Sequence, residues 1–259
     1  MKSIEKTTRV LITAPLKQDA ETFGFFQDAL DALEIPDGVS VDRFFVVNDC
    51  AELIPFIRGE YVEINTGDVY TKTHNDHIWR QDNLTKMEQL RNATIEKALN
   101  GKYDYWWSID TDVIVKPETL RVLLDADKDI VSEIFWTRSR VGTWWCNGWL
   151  YDQADADGHF TDGTWNKPGL YQVGMTGACT LVKTSVFKKG VNYTRVPNLR
   201  KVLYGEDRWF SIRAACLGFE MWLDTHCPAE HLFTPELLAD YRRRMQNAER
   251  RKNSAARDG

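Results

Sequence analysis

Apolar residues along this chain fall into short runs with two different periods. The runs RVLITAP, VDRFFVVND and EYVEIN have the length and alternation of strands, whereas FGFFQDALDAL and LTKMEQLRNATIEKALNG repeat at helical spacing. In the longer helical segment Leu84, Met87, Leu90, Ile95, Ala98 and Leu99 roughly follow one face, and Asn100-Gly101 supplies a stop. The chain continues with an apolar strand, YDYWWSID, and a short helix, PETLRVLLDA, with Pro117 expected at the favoured first position. A further strand, DIVSEIF, follows. This alternation predicts an α/β fold, Rossmann-like, with a mostly parallel sheet flanked by helices. No repeat and no Pro-, Gly- or Ser-rich linker divides it, so residues 1–235 read as one domain and 236–259 as a basic C-terminal helix or tail.

Composition narrows the class. A hydrophobic fraction of 43% with ten tryptophans supports a full core in 259 residues. No segment approaches the roughly 18 uninterrupted apolar residues of a membrane span, and the opening MKSIEKTTRVLITAP lacks a signal-peptide core, so a cytoplasmic protein is expected. Five cysteines without paired spacing indicate neither a disulfide framework nor a zinc site. The net charge of -5 gives no general attraction to nucleic acid, although the tail YRRRMQNAERRKNSAARDG gathers seven basic residues that suit either solvent or an anionic partner.

Ligands of open α/β sheets bind beyond the carboxyl ends of the strands, which directs attention to Asn48-Asp49 and to Asp110-Thr111-Asp112. In an extended backbone Asp110 and Asp112 share a face, and two converging carboxylates repel unless a cation joins them. Oxygen donors of this kind suit Mg²⁺ or Mn²⁺ with phosphate completing the shell. A pair of solvated loop carboxylates ahead of the Pro117 helix is the plain alternative.

Five segments in order carry a resemblance: FFVVNDC, QLRNATIEKAL, YDYWWSIDTDVIV, GMTGACTLVKTSVF and YGEDRWFSIRAACLGFEMWLDT. Together they resemble the GT-A glycosyltransferases, family-2-like enzymes that use nucleotide sugars, over most of residues 10–231. The resemblance implies a GT-A fold with a long acceptor-side loop and a UDP- or GDP-type sugar donor. It implies a role near the base or ribose for Asp49, and near the ribose and metal for Asp110. Asp112 is implied as the direct metal ligand and His231 as an additional one, with His226 nearby as a competitor. Arg91 is a candidate for phosphate, or for a structural pairing with a carboxylate. His74 and His77 have ligand-like spacing but no third partner.

Glycosyl transfer with inversion needs a carboxylate to take the acceptor's proton. By the resemblance this is Asp207, with Glu206 orienting the acceptor or supporting Asp207; helix capping is the competing role for both. Residues 135–172, rich in Trp, Gly and Asp, form a loop long enough to be functional. Trp144, Trp145 and Trp149 are the candidates for acceptor binding, with Trp136 and Trp165 in the same segment and at least two of these tryptophans expected in the core. The piece DQADADGHFTDG lacks the terminal Glu of a calcium loop. Two other classes fit less well. A haloacid-dehalogenase-like phosphotransferase would carry its D-x-D near the N-terminus, and a non-catalytic carbohydrate-binding protein with this fold has no use for Asp110, Asp112 and Asp207 together. The acceptor is not legible.

Overall fold

The computed structural model describes residues 7–67, 72–73, 76–77, 81–138, 144–150, 164–199 and 205–255. Its strands are β1 (Thr8–Leu16), β2 (Val39–Val47), β3 (Glu60–Glu63), β4 (Lys72–Thr73), β5 (Asp76–His77), β6 (Tyr105–Ser108), β7 (Val113–Ile114), β8 (Ile130–Arg138), β9 (Trp144–Cys146), β10 (Gly148–Trp149), β11 (Leu170–Val173), β12 (Met175–Thr176), β13 (Thr180–Lys183) and β14 (Met221–His231). The helices are α1 (Ala20–Asp31), α2 (Gln81–Asn100), α3 (Thr119–Asp125), α4 (Thr184–Lys188), α5 (Glu206–Cys216) and α6 (Pro235–Ala255).

The main sheet runs β11-β14-β8-β13-β6-β1-β2-β3. Strands β3, β2, β1 and β6 are parallel, as are β8 and β14. The alternation of apolar runs and helices expected from the sequence therefore holds. Two strands of the main sheet depart from it: β13 lies antiparallel between β6 and β8, and β11 closes the far edge antiparallel to β14. YDYWWSID becomes β6, near the middle of the sheet.

Pleating sorts successive residues onto opposite faces. Val10, Ile12, Ala14 and Trp107 pack with Phe23, Phe26 and Leu30 of α1 and Leu120 and Leu123 of α3. Leu11, Phe44, Val46 and Trp106 pack instead with Leu90, Ile95 and Ala98 of α2, Phe187 of α4 and Phe210 of α5. Trp106 and Trp107 are fully buried on opposite faces, and truncating either to Ala should cost about 3–5 kcal/mol. Adjacent aromatic residues in β6 thus serve two cores, and this explains why the run is continuous rather than alternating.

Helix boundaries follow local chemistry. Asp19 caps α1 by accepting Thr22 N–H at 2.9 Å, and α2 stops at Asn100 as Asn100-Gly101 required. The PETL segment differs from expectation, because Pro117 lies in a turn and α3 begins at Thr119. There Thr119 N–H bonds the Lys116 carbonyl while its hydroxyl accepts Lys116 N–H, a reciprocal cap that delays the helix by one half-turn. α6 is anchored by Leu238 and the buried Tyr241, and from Arg242 onward its described residues are exposed. Four cysteines are buried and Cys216 is exposed. Among the described residues no helix is long and apolar enough to cross a membrane.

Candidate active site

β1, β2 and β3 end together in register, Asp49 follows the end of β2, and Asp110, just past β6, is tied through Arg91 to Glu206 at the N-terminus of α5. Asp49 takes a left-handed backbone (φ 52°), which Asp tolerates better than most residues. Its carboxylate receives Gly67 N–H and the Thr66 hydroxyl, each at 3.3 Å, and Lys17 Nζ stands 3.8 Å away. The buried Asn48 beside it accepts the Thr66 N–H and hydroxyl, so the ends of β2 and β3 are locked together.

The D-x-D segment corrects the geometry expected of it. β6 ends at Ser108, and Asp110 to Val113 form a turn in which Val113 N–H bonds the Asp110 carbonyl at 2.9 Å. The two carboxylates consequently do not share one strand face. Asp110 accepts Arg91 Nη2 at 3.1 Å, whereas Asp112 stands 3.6 Å from His231 Nε2. The other ring nitrogen, His231 Nδ1, is 3.0 Å from Thr137 Oγ1, a contact that orients the ring. His226, the alternative histidine, is occupied with Asp224. Among the described residues no three His, Cys, Asp or Glu side chains gather as a metal-ligand set. The Asp112–His231 pair still fits a divalent ion, since two ligands each at about 2.0–2.2 Å from one ion lie roughly 3–4 Å apart.

Arg91 is only 2% exposed and links the two halves of the site. Its guanidinium donates to Ser108 Oγ at 3.0 Å and to Asp110, lies 3.7 Å through Nε from Glu206 Oε1, and faces the Tyr193 ring at 5.5 Å. Of the two roles open in the sequence, pairing with carboxylates is the one the described contacts occupy. Glu206 is buried against it. Burial and the neighbouring Asp207 push the Glu206 carboxyl well up, with Arg91 opposing. Burial also raises the Asp207 carboxyl above the usual range, Arg91 again opposing and Asp110 adding to the rise.

Glu206 and Asp207 open α5 after Gly205, whose φ of 139° favours glycine and which as the N-cap residue offers no side-chain hydrogen bond. Asp207 remains partly exposed. A Cβ added to Gly177 would stand 3.6 Å from Asp207 Oδ2, so the glycine leaves that flank of the carboxylate open. Gly177 was visible only as part of a small-residue run, and Thr137 and Ser108 only as strand-end hydroxyls. Their roles depend on pairings between distant strands.

The acceptor-side tryptophans divide. Trp165 is buried in the α2–α5 core and Trp136 packs on it, while Trp144 is 45% exposed and Trp145 and Trp149 are half-buried. Trp149 pairs with Met175 in the β10–β12 ladder, close to Gly177. His74 and the whole of DQADADGHFTDG, residues 152–163, lie outside the described residues.

Comparison with known proteins bears on this geometry. The family model for the glycosyltransferase family 25 N-terminal domain matches residues 51–199, more than half of the chain. The chain belongs to that family. Its glycosyltransferase assignment agrees with the resemblance carried by the five segments. A search of curated proteins returns no match. Among solved structures, S. aureus TarS 1-349 superposes with a TM-score of 0.54 at 10% sequence identity, over 86% of this chain and 60% of that one, which shows a shared fold. The same protein in complex with UDP-GlcNAc gives a TM-score of 0.48 at 10% identity, over 86% and 58% of the two chains. This family 25 chain thus spans about 60% of the length of the TarS structure.

Proposed function

We propose that this family 25 chain moves a sugar from a nucleotide diphosphate sugar of UDP or GDP type to an acceptor hydroxyl, with inversion. The observation that carries the reading is Asp207. It is a partly exposed residue in the first turn of a helix, raised in proton affinity and opposite a glycine gap, and its neighbour Glu206 shares one buried arginine with Asp110. In the reaction the acceptor oxygen forms a bond to the anomeric carbon from the face opposite the leaving group. The bond from that carbon to the diphosphate oxygen breaks, and the acceptor proton passes to Asp207. A general base of this kind contributes about 10² to 10⁴ in rate.

Asp49, with Lys17, Thr66 and Gly67, is assigned to the nucleoside, since it stands beyond the strand ends where nucleotides bind in open sheets. Asp110 is assigned to the ribose side of the donor. Asp112 and His231 would hold Mn²⁺ or Mg²⁺, which when bound offsets the charge of the departing diphosphate. Glu206 is assigned to support of Asp207, because it is buried behind it rather than open to an acceptor. Arg91 is assigned the charge balance of Asp110 and the Glu206–Asp207 pair. Trp144, Trp145 and Trp149 are assigned to the acceptor, Trp144 exposed and the other two half-buried on β9 and β10, the strands beside Gly177. Family membership disfavours the phosphotransferase alternative.

A thermal-shift panel of nucleoside diphosphates with and without Mn²⁺ tests the reading. A ligand at 100 times its Kd stabilises the native state by about 2.7 kcal/mol, so UDP or GDP should raise Tm, and more so with Mn²⁺. No shift with any nucleoside diphosphate would overturn it.

A further inference from the structure

β14 does not run straight from the sheet to the site. It pairs with β8 from Trp222↔Val131 to Asp224↔Glu133, and pairing resumes only at Ala229↔Phe135. From Asp224 to Ala229 the chain advances five positions while β8 advances two, so residues 225–228 bulge out. Beyond the bulge β14 crosses to β7, pairing Glu230↔Ile114 and His231↔Val113, and Leu232 N–H bonds the Asp112 carbonyl at 2.7 Å. The bulge therefore decides where His231 lands relative to Asp112.

An acid holds the inside of that bulge. Glu133 is 0% exposed, its Oε1 receives the N–H groups of Cys227 and Ile134 at 3.3 Å each, and its Oε2 has no hydrogen-bond partner. Its neighbour in the register, Asp224, is also buried, with its carboxylate turned to His226 N–H and the His226 ring. Burial, with Asp224 adding to it, pushes the Glu133 carboxyl up to about 9, which leaves it neutral at ordinary pH. A buried N–H left without an acceptor is destabilising, because it gives up its bond to water for nothing. The bulge carries Cys227 N–H away from the β8 backbone ladder, and a side chain reaching across from β8 supplies the acceptor instead.

We propose that Glu133 is a positioning residue for the site: by accepting Cys227 N–H it fixes the β14 bulge and so sets His231 opposite Asp112. This rests on the assignment of Asp112 and His231 as the metal-binding pair. The first test is calorimetry of UDP and of GDP, with and without Mn²⁺, on the full chain and on Glu133→Met, Glu133→Gln, His231→Ala and the double variant that combines Glu133→Met with His231→Ala. Amide hydrogen exchange at Cys227 and Leu232 is followed in the metal-free proteins. Glu133→Met should weaken Mn²⁺-dependent affinity about 10- to 100-fold, as His231→Ala does, and the double variant should be no weaker than His231→Ala. Glu133→Gln keeps the acceptor and should keep wild-type affinity. Exchange at Cys227 and Leu232 should quicken in Glu133→Met and not in Glu133→Gln. A folded Glu133→Met variant with wild-type affinity and exchange, or losses that add fully in the double variant, would overturn the proposal. If Glu133→Met does not fold, a folded Glu133→Gln variant with weakened Mn²⁺-dependent affinity overturns it equally. Wild-type affinity that ignores Mn²⁺ would defeat the metal assignment alone, and exchange at Leu232 would then still decide whether Glu133 places the end of β14.

Discussion

The two halves of the sheet, on either side of the β6–β13 boundary, place their site residues by different means. On the β3-β2-β1-β6 side, parallel strands end together and Asp49 and Asp110 follow directly from strand termini. On the β13-β8-β14-β11 side, two antiparallel strands and a bulge intervene, and two buried acids stand beside the candidate residues: Glu206 next to Asp207, against Arg91, and Glu133 behind the bulge that precedes His231. Those two acids differ in turn. Glu206 faces the guanidinium of Arg91, while Glu133 has two N–H groups and an orphan oxygen. On the proposed reading, the regular half would supply fixed anchors for the donor, and the irregular half would set the direction of His231.

The sharpest way to break this division is to disable the base alone. Asp207→Asn should lower turnover by about 10² to 10⁴ while donor affinity stays within a few fold, since the change removes a proton acceptor and keeps the shape. If Asp207 only served the helix terminus, turnover would stay near wild type and Tm would fall slightly, by roughly 1 kcal/mol of stability or less. Steady-state rates and melting curves on one preparation separate the two.

Cutting the link between the halves should follow in size. Arg91→Met removes the guanidinium and leaves Asp110 and Glu206 facing each other, and breaking a buried pair in this way costs about 3–5 kcal/mol. Chemical denaturation measures the loss. Turnover in the same variant should need higher pH: without Arg91 the Asp207 carboxyl rises further, so the acid limb of its rate profile, already above the ordinary carboxylate range, moves up. An unmoved limb would show that Arg91 does not set the base.

Asp112→Ala should then weaken Mn²⁺-dependent nucleotide affinity about 10- to 100-fold with the fold intact, and calorimetry giving unchanged affinity would sink the metal assignment. Glu133→Gln should change stability against pH rather than affinity. The Glu133 carboxyl is raised from 4.5 to about 9, so its favourable contribution is full below the unfolded value and is lost as pH rises towards the folded one. The Gln variant, having no such proton, should gain on wild type across that interval, each kcal/mol appearing as about 2–4 °C in Tm. Asp224, Cys227 and Cys179 face the same carboxyl, and Lys116 opposes the rise only weakly. Parallel stability curves for the two proteins from about pH 5 to 9 would contradict this.

Much of the regular half was legible because its signals are local. The apolar runs, the Asn100-Gly101 stop and the acidic residues at strand ends each follow from a few neighbouring residues, and they led to β1, β2, β6, α2 and the family. Partners far apart in sequence were not legible to the same degree. Asp110 and Asp112 looked like neighbours on one strand face, yet the chain turns at Asp110 and sends them to Arg91 and His231, partners 19 residues back and 119 residues ahead. Glu133 sits in DIVSEIF as an ordinary polar break in a strand. Nothing nearby in sequence says that its partner is Cys227, because the bulge that brings them together forms only when β14 meets β8. Arg91 likewise reads as one helix cation until α2, β6 and α5 are packed around it.

The central claim, that one carboxylate drives a single displacement on a nucleotide sugar, is tested most directly by proton NMR of the anomeric signal. UDP- and GDP-sugars are incubated with the wild-type chain and Mn²⁺, and the configuration of the first-formed sugar product is compared with that of the donor. The account predicts consumption of at least one donor with inverted configuration in the product, whether the acceptor is water or a hydroxyl compound. A first-formed product that retains the donor's configuration would contradict it.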